Sequence, residues 1–174
     1  MKLNALSLPD LEQVRQWRNE QTSMLRTPLL LTQEQQETFY WDVVSNRQSN
    51  ARYWGLVQRE KDILIGMIGL ENIQWENRLA EISLLLTPGG MVKVGSKALK
   101  LLLHEGFMNM NLENIFVEVY ECNPNLPFWM NMVEKYDTCV VRLPNRKYYN
   151  GEYWPSYYIN FNKEDFLEHE NTIS

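Results

Sequence analysis

Residues 78–121 constrain the fold more than any other stretch of the chain. From Arg78 to Leu86 the residues alternate: Ala80, Ile82, Leu84 and Leu86 fall on one face of a strand, and Leu79, Glu81, Ser83 and Leu85 on the other. Thr87-Pro88-Gly89-Gly90 ends that pattern. A helix from about Val94 to Phe107 follows, with Ala98, Leu101 and Leu102 on a stripe. A second strand, Asn114 to Glu121, then turns Ile115, Val117 and Val119 inward. Strand, helix and strand in that order make a crossover, which places the two strands parallel in one sheet. The rest of the chain must be arranged around that parallel pair.

Upstream, Leu8 to Asn19 carries Leu11, Val14 and Trp17 at three-residue spacing, with Asp10 as N-cap, and reads as an amphipathic helix. Thr32 and Gln35 form a capping box, and Phe39, Val43 and Val44 follow at helical spacing. Tyr53 to Val57 and Ile63 to Leu70 read as adjacent strands joined by a turn at Arg59-Glu60-Lys61-Asp62. Downstream, Asn125 to Lys135 is a helix. Thr138 to Leu143 and Tyr153 to Phe161 are strands, with a hairpin around Asn150-Gly151, and Lys163 to Glu168 is a closing helical turn. This order predicts an α+β fold: a mixed, mostly antiparallel central sheet of about six to seven strands with helices on both faces. With 174 residues and no linker, repeat or low-complexity tract, a single domain over 1–174 is expected.

Charge and composition exclude several classes. Lys plus Arg is 17 against Asp plus Glu at 22, a net charge of -5. General nucleic-acid binding needs a surplus of cations facing phosphates, so nucleic acid is not an expected partner. Apolar runs such as Leu84 to Leu86 are far too short to span a membrane. Cys122 and Cys139 make no disulfide framework, and a reducing, cytoplasmic setting is expected. His104 sits among leucines and His169 in a charged tail; no cluster has metal-ligand spacing, so no metal is expected. No phosphate-binding P-loop, nucleophile elbow or dinucleotide fingerprint occurs.

Four features carry candidate chemistry, each beside a plainer reading. Gly89 to Ser96 leads into a helix N-terminus, where bare N–H groups and the helix dipole attract phosphate oxygens and Lys93 adds a cation; it also suits a simple connecting turn. Glu81 is a carboxylate in an otherwise apolar strand, either a general base or the partner of a cation such as Arg78. Asn123 stands at a strand's C-terminal end, which borders ligand crevices in α/β sheets, or caps the next helix. The aromatic end, from Tyr148-Tyr149 to Tyr157-Tyr158 with Trp154, lines a pocket or forms a hairpin of β-formers. Cys122 reads as a structural thiol, because no positioned base accompanies it.

Several motifs in order carry a resemblance. Gln16-Trp17-Arg18-Asn19 ends the first helix; Gln35-Gln36 with Phe39 marks the second; Ile65-Gly66-Met67-Ile68-Gly69-Leu70 follows. Then come Leu79-Ala80-Glu81-Ile82-Ser83 before Pro88, Gly95-Ser96-Lys97-Ala98-Leu99, Phe107, and Leu112-Glu113-Asn114-Ile115. Glu118-Val119 through Asn123 and Tyr149-Asn150-Gly151-Glu152-Tyr153 close the series. Over residues 5–166 the chain resembles the GNAT family of acyl-CoA-dependent N-acyltransferases. It is most similar to the branch holding ribosomal-protein N-terminal-alanine and amino-sugar-nucleotide acetyltransferases.

The resemblance implies a division of labour. Backbone groups near Leu84, Leu85 and Leu86 would bond the pantetheine arm of acetyl-CoA. The segment of Lys93, Val94, Gly95 and Ser96 would hold its pyrophosphate, and the strands would part near Asn123. Glu81 is the candidate base, with Glu71 in reserve. Arg18 and Asn19 would face the acceptor from one side, Tyr153 and Trp154 from the other; alternatively, Arg18 pairs with a carboxylate and the aromatics fill a homodimer contact. Two positions depart from the family's Arg/Gln-x-x-Gly-x-Gly loop and its helix tyrosine. Anchoring the loop on Gly95 puts Lys93 where a glycine stands and Gly90 where Arg or Gln stands, and Met130-Asn131-Met132-Val133 precedes Glu134-Lys135 without a tyrosine. The expected activity is acetyl transfer to a primary amine, of an amino-sugar nucleotide or other small molecule. A protein N-terminus is an alternative acceptor, and a binding protein without turnover is an alternative function.

Overall fold

The computed structural model describes residues 1–173, with side chains through Asn171. Seven strands form one sheet: Lys2–Asn4 (β1), Arg52–Gln58 (β2), Ile63–Gln74 (β3), Leu79–Leu86 (β4), Asn114–Tyr120 (β5), Cys139–Tyr149 (β6) and Glu152–Asn162 (β7). Their order is β1-β2-β3-β4-β5-β7-β6. β4 and β5 are the parallel pair and every other neighbour is antiparallel, as the crossover requires. Helices Leu8–Glu20 (α1) and Gln33–Phe39 (α2) lie on one side of the sheet. Gly90–His104 (α3), Leu126–Tyr136 (α4) and Lys163–Ile173 (α5) lie on the other.

The two faces have separate cores. Ile68, Leu70, Ala80, Ile82, Leu86, Ile115, Val117 and Val119 turn toward Ala98, Leu99, Leu102, Leu103 and Phe107, all buried. This is where the alternation of β4 and β5 meets the stripe of α3; Leu99 and Leu103 join Ala98 and Leu102 on it, and the expected Leu101 is only half-buried. Leu11 and Val14 of α1 pack with Val57, Leu64 and Met67 on the opposite face. Burying side chains of this size contributes about 1.5–3 kcal/mol each, which is why the periodic segments are also the fixed ones.

Several boundaries differ from the sequence expectation. β1 has three residues, too few to show a period. The N-cap of α1 is Ser7, not Asp10; Asp10 is the reciprocal partner of the box and accepts from Ser7 N at 2.8 Å. α3 begins at Gly90 rather than Val94. Gly89 takes φ 72, a left-handed conformation open to glycine, and Gly90 N donates to Thr87 O at 2.7 Å. The turn is therefore closed by Gly90, and none of Val92, Lys93 and Val94 breaks a helix. β6 runs on to Tyr149 through an irregularity between Leu143 and Lys147, with Asn145 at φ 53. The hairpin itself turns on Asn150 and Gly151, at φ 53 and 86.

One feature of the sheet positions everything that follows. β4 and β5 pair only at Leu79–Asn114, Ala80–Ile115 and Glu81–Phe116. Beyond that point β4 continues with β3 to Leu86, and β5 with β7 to Tyr120. The two halves of the twisted sheet diverge and leave a cleft between them.

Candidate functional site

The cleft has a volume of about 280 Å³ and is lined from β4, β5, the Gln21–Arg26 segment after α1, and the starts of α3 and α4. Its floor is charged. Glu71 and Glu81 face each other across β3 and β4, Glu81 lies opposite Phe116, and Glu118 is two residues further along β5. All three carboxylates therefore share one sheet face. The β3 ladder is interrupted between Glu71 and Gln74, where Asn72 takes φ 49. Such a bulge re-aims side chains, and here Asn72 Nδ2 donates to Glu81 Oε2 at 2.9 Å.

Cations answer these acids. Arg26 donates from Nη2 to Glu81 Oε1 and stands 3.8 Å from Glu118 Oε2. Arg146 Nε donates to Glu118 Oε1 at 2.9 Å, and Ser156 Oγ donates to the same oxygen at 2.7 Å. Burial alone would push Glu118 up, but these donors and the charge of Arg26 hold it below the usual carboxylate range. Burial would lower the Arg26 guanidinium, yet its bond to Glu81 leaves it above its ordinary value. Tyr53 donates its hydroxyl to Glu71, and burial followed by the Glu71 charge pushes its own pKa up.

The mouth is built differently. Ile82 to Leu86 line the cleft with no strand on their β5 side. An unpaired strand edge presents N–H and C=O groups to whatever extended segment enters. Gln21 takes the last of them, its Nε2 donating to Leu86 O at 2.9 Å. Met91 and Val92, in the first turn of α3, continue the lining, and the Val92 side chain is 90% exposed. Asn123 Nδ2 donates to Met24 O at 3.1 Å, and buried Lys147 reaches across from β6 to Ser23 O at 3.4 Å and Leu25 O at 2.7 Å. These two side chains hang the segment after α1 over the cleft.

Glu81, Glu71, Leu84, Leu85, Leu86 and Asn123 all line the cleft. Lys93, Val94, Gly95 and Ser96 lie within α3, past the residues that line it. Gly95 is a packing position: a Cβ there would come within 2.9 Å of Met91 Sδ and Phe128 Cε2. Ser96 accepts from Lys135 Nζ at 3.5 Å. Arg18 and Asn19 also stand outside the lining. Arg18 donates to Leu29 O at 2.7 Å, and Asn19 exchanges bonds with Leu31 N and O at 2.9 Å each. Tyr153 is 64% exposed beside Tyr148, and Trp154 donates to Tyr149 O at 3.2 Å, both on the β6–β7 hairpin away from the cleft. Arg26, Gln21 and Glu118 complete the site. Glu118 was visible as a polar residue on the strand face opposite Val117 and Val119; Arg26 and Gln21 had no periodic signal.

Among the described residues, no group of three or more His, Cys, Asp or Glu is placed to hold a metal ion, and no helix is long and apolar enough to cross a membrane. A family model described as the acetyltransferase (GNAT) domain matches residues 1–126. No curated protein matches by sequence. Among solved structures, mutant forms of the spermidine/spermine N-acetyltransferase SpeG from Vibrio cholerae superpose with a TM-score of 0.80 at 21% identity, covering 97% of both chains. The Vibrio cholerae spermidine N-acetyltransferase in complex with CoA and spermine gives 0.80 at 20% identity, over 95% of this chain and 97% of that one.

Proposed function

The chain belongs to the GNAT acetyltransferase family, and on that premise we propose that it transfers an acetyl group from acetyl-CoA to a primary amine of a small cationic acceptor. The carrying observation is the floor of the cleft. Three carboxylates share one face at the point where β4 and β5 part, an environment made for an ammonium-bearing molecule.

In this reading the donor's pantetheine arm runs along the free edge of Ile82 to Leu86, bonding the backbone as a further strand would. Its phosphates meet the N-terminus of α3 at Gly90 to Val92, with Lys93 one residue beyond. The acceptor's amine, in its neutral form, attacks the thioester carbonyl. A C–N bond forms, the C–S bond breaks, and the electron pair leaves on the thiolate. Glu81, directly or through a water, takes the proton from the nitrogen, with Glu71 in reserve. Holding both reactants in one cleft supplies most of the acceleration, up to about 7–11 kcal/mol in favourable cases.

The acceptor that best fits is a linear amine with more than one amino group, the class named for the Vibrio cholerae enzyme of this fold. An amino-sugar nucleotide fits less well. Its phosphates would meet Glu118 and Glu81, and Arg18 already spends its guanidinium on the Leu29 and Thr27 carbonyls. The test is a panel of diamines, polyamines, amino-sugar nucleotides and peptide N-termini with acetyl-CoA, following release of free thiol. The expected result is turnover with linear diamines or polyamines. Preference for an amino-sugar nucleotide or a peptide would overturn the assignment of the floor as a cation site.

A further inference from the structure

We propose that Arg26 is the resident occupant of the acceptor's cation position, and that an acceptor gains the floor only by bringing a cation that replaces it. This rests on the acceptor reading above and adds a residue that sets its selectivity.

Arg26 lines the cleft together with the acids, paired to Glu81 and near Glu118. The two ends of these contacts differ. The Glu81 and Glu118 side chains are 9% and 10% exposed and fixed on strands; the Arg26 side chain is 51% exposed and comes from the segment between α1 and α2. Each acid also keeps a partner from elsewhere. Asn72 serves Glu81, while Arg146 and Ser156 serve Glu118. The floor therefore survives when the guanidinium swings out. The backbone around Arg26 is hung independently, by Asn123 on Met24 O, Lys147 on Leu25 O and Arg18 on Thr27 O and Leu29 O. A side-chain rotation alone vacates the position.

The chemistry then selects the acceptor. The attacking nitrogen must be neutral, so it cannot also be the cation that replaces Arg26. A second amino group has to remain as ammonium against the carboxylates. A monoamine, with none to spare, leaves Arg26 in place. The occupied fraction of the site weakens apparent acceptor affinity in proportion.

Isothermal calorimetry of the full chain, without donor, tests this with a linear alkyl diamine and guanidinium chloride. Arg26→Ala should bind the diamine about tenfold more tightly than the native chain, about 1.4 kcal/mol. Guanidinium should compete with the diamine in Arg26→Ala and not in the native chain. Weaker or unchanged diamine binding in Arg26→Ala overturns the proposal. Should that variant fail to fold, Arg26→Lys, with one ammonium in place of the guanidinium fork, should tighten diamine binding by a smaller factor; weakening overturns it again. If neither the native chain nor Arg26→Ala binds diamine while Arg26→Ala binds guanidinium, the cation position stands and the acceptor reading is overturned instead.

Discussion

At the floor of the cleft, acids from three strands are each matched by a particular donor: Tyr53 for Glu71, Arg26 and Asn72 for Glu81, Arg146 and Ser156 for Glu118. At the mouth, consecutive residues of β4 offer backbone groups, and α3 opens on glycine, methionine and valine with no acidic residue in its first turn. The floor is specified side chain by side chain. The mouth is specified by where the ladder stops. The first kind of site is sensitive to the loss of any one acid, because each holds its own set of donors in place. The second tolerates changed side chains and yields only when the path of the backbone is disturbed.

That contrast can be broken or sharpened by mutation. The largest effect is expected at Glu81. Glu81→Gln should lower kcat about a hundredfold while leaving acyl-CoA affinity unchanged, measured by steady-state kinetics and donor titration. A matching loss of donor affinity would erase the distinction between floor and mouth. Next comes Gly95→Val, whose side chain meets Met91 and Phe128. It should cost about 1–3 kcal/mol of stability in denaturant unfolding and weaken donor binding more than acceptor binding, because it displaces the start of α3.

Glu118→Gln should raise the acceptor's KM about tenfold with little change in kcat, since the acid anchors rather than reacts. It also has a pH signature. The carboxyl of Glu118 sits below its ordinary value of 4.5, so its ionised form stabilises the fold above that pH, and the contribution is lost as pH falls through the lower folded value. Unfolding midpoints measured through the acid range should therefore fall less steeply in Glu118→Gln than in the native chain. The smallest effect belongs to the mouth: Val92→Ala, at a side chain 90% exposed, should change stability by less than about 0.5 kcal/mol and leave donor affinity where it was.

How much could be read from the residues follows the same division. The alternation of Arg78 to Leu86, the break at Thr87-Pro88-Gly89 and the strand from Asn114 are local patterns, and they carried the parallel pair; the parting of the strands came only as an implication of the GNAT resemblance. Glu81 and Leu84 to Leu86 stand on that strand and so arrive in the cleft with it. The start of α3 was misread because two adjacent glycines suggest a longer loop, whereas one left-handed glycine was enough to turn the chain. Arg18 and Asn19 were expected at the acceptor. Their side chains instead bond the backbone eleven and twelve residues on, as polar groups do when unpaired carbonyls lie within reach.

By itself the sequence determined the longer elements, their alternation and the one place where parallel strands must meet. Each of these follows from a period of 2 or about 3.6 residues, which neighbouring positions express without help. Only the tertiary structure decided which charges meet. Arg26 finds Glu81 across 55 residues and Arg146 finds Glu118 across 28, spacings that obey no period. Such pairs form because burial leaves each carboxylate needing a donor. Which donor comes within reach is set by the packing of the segment after α1 and the β6–β7 hairpin against the parted strands.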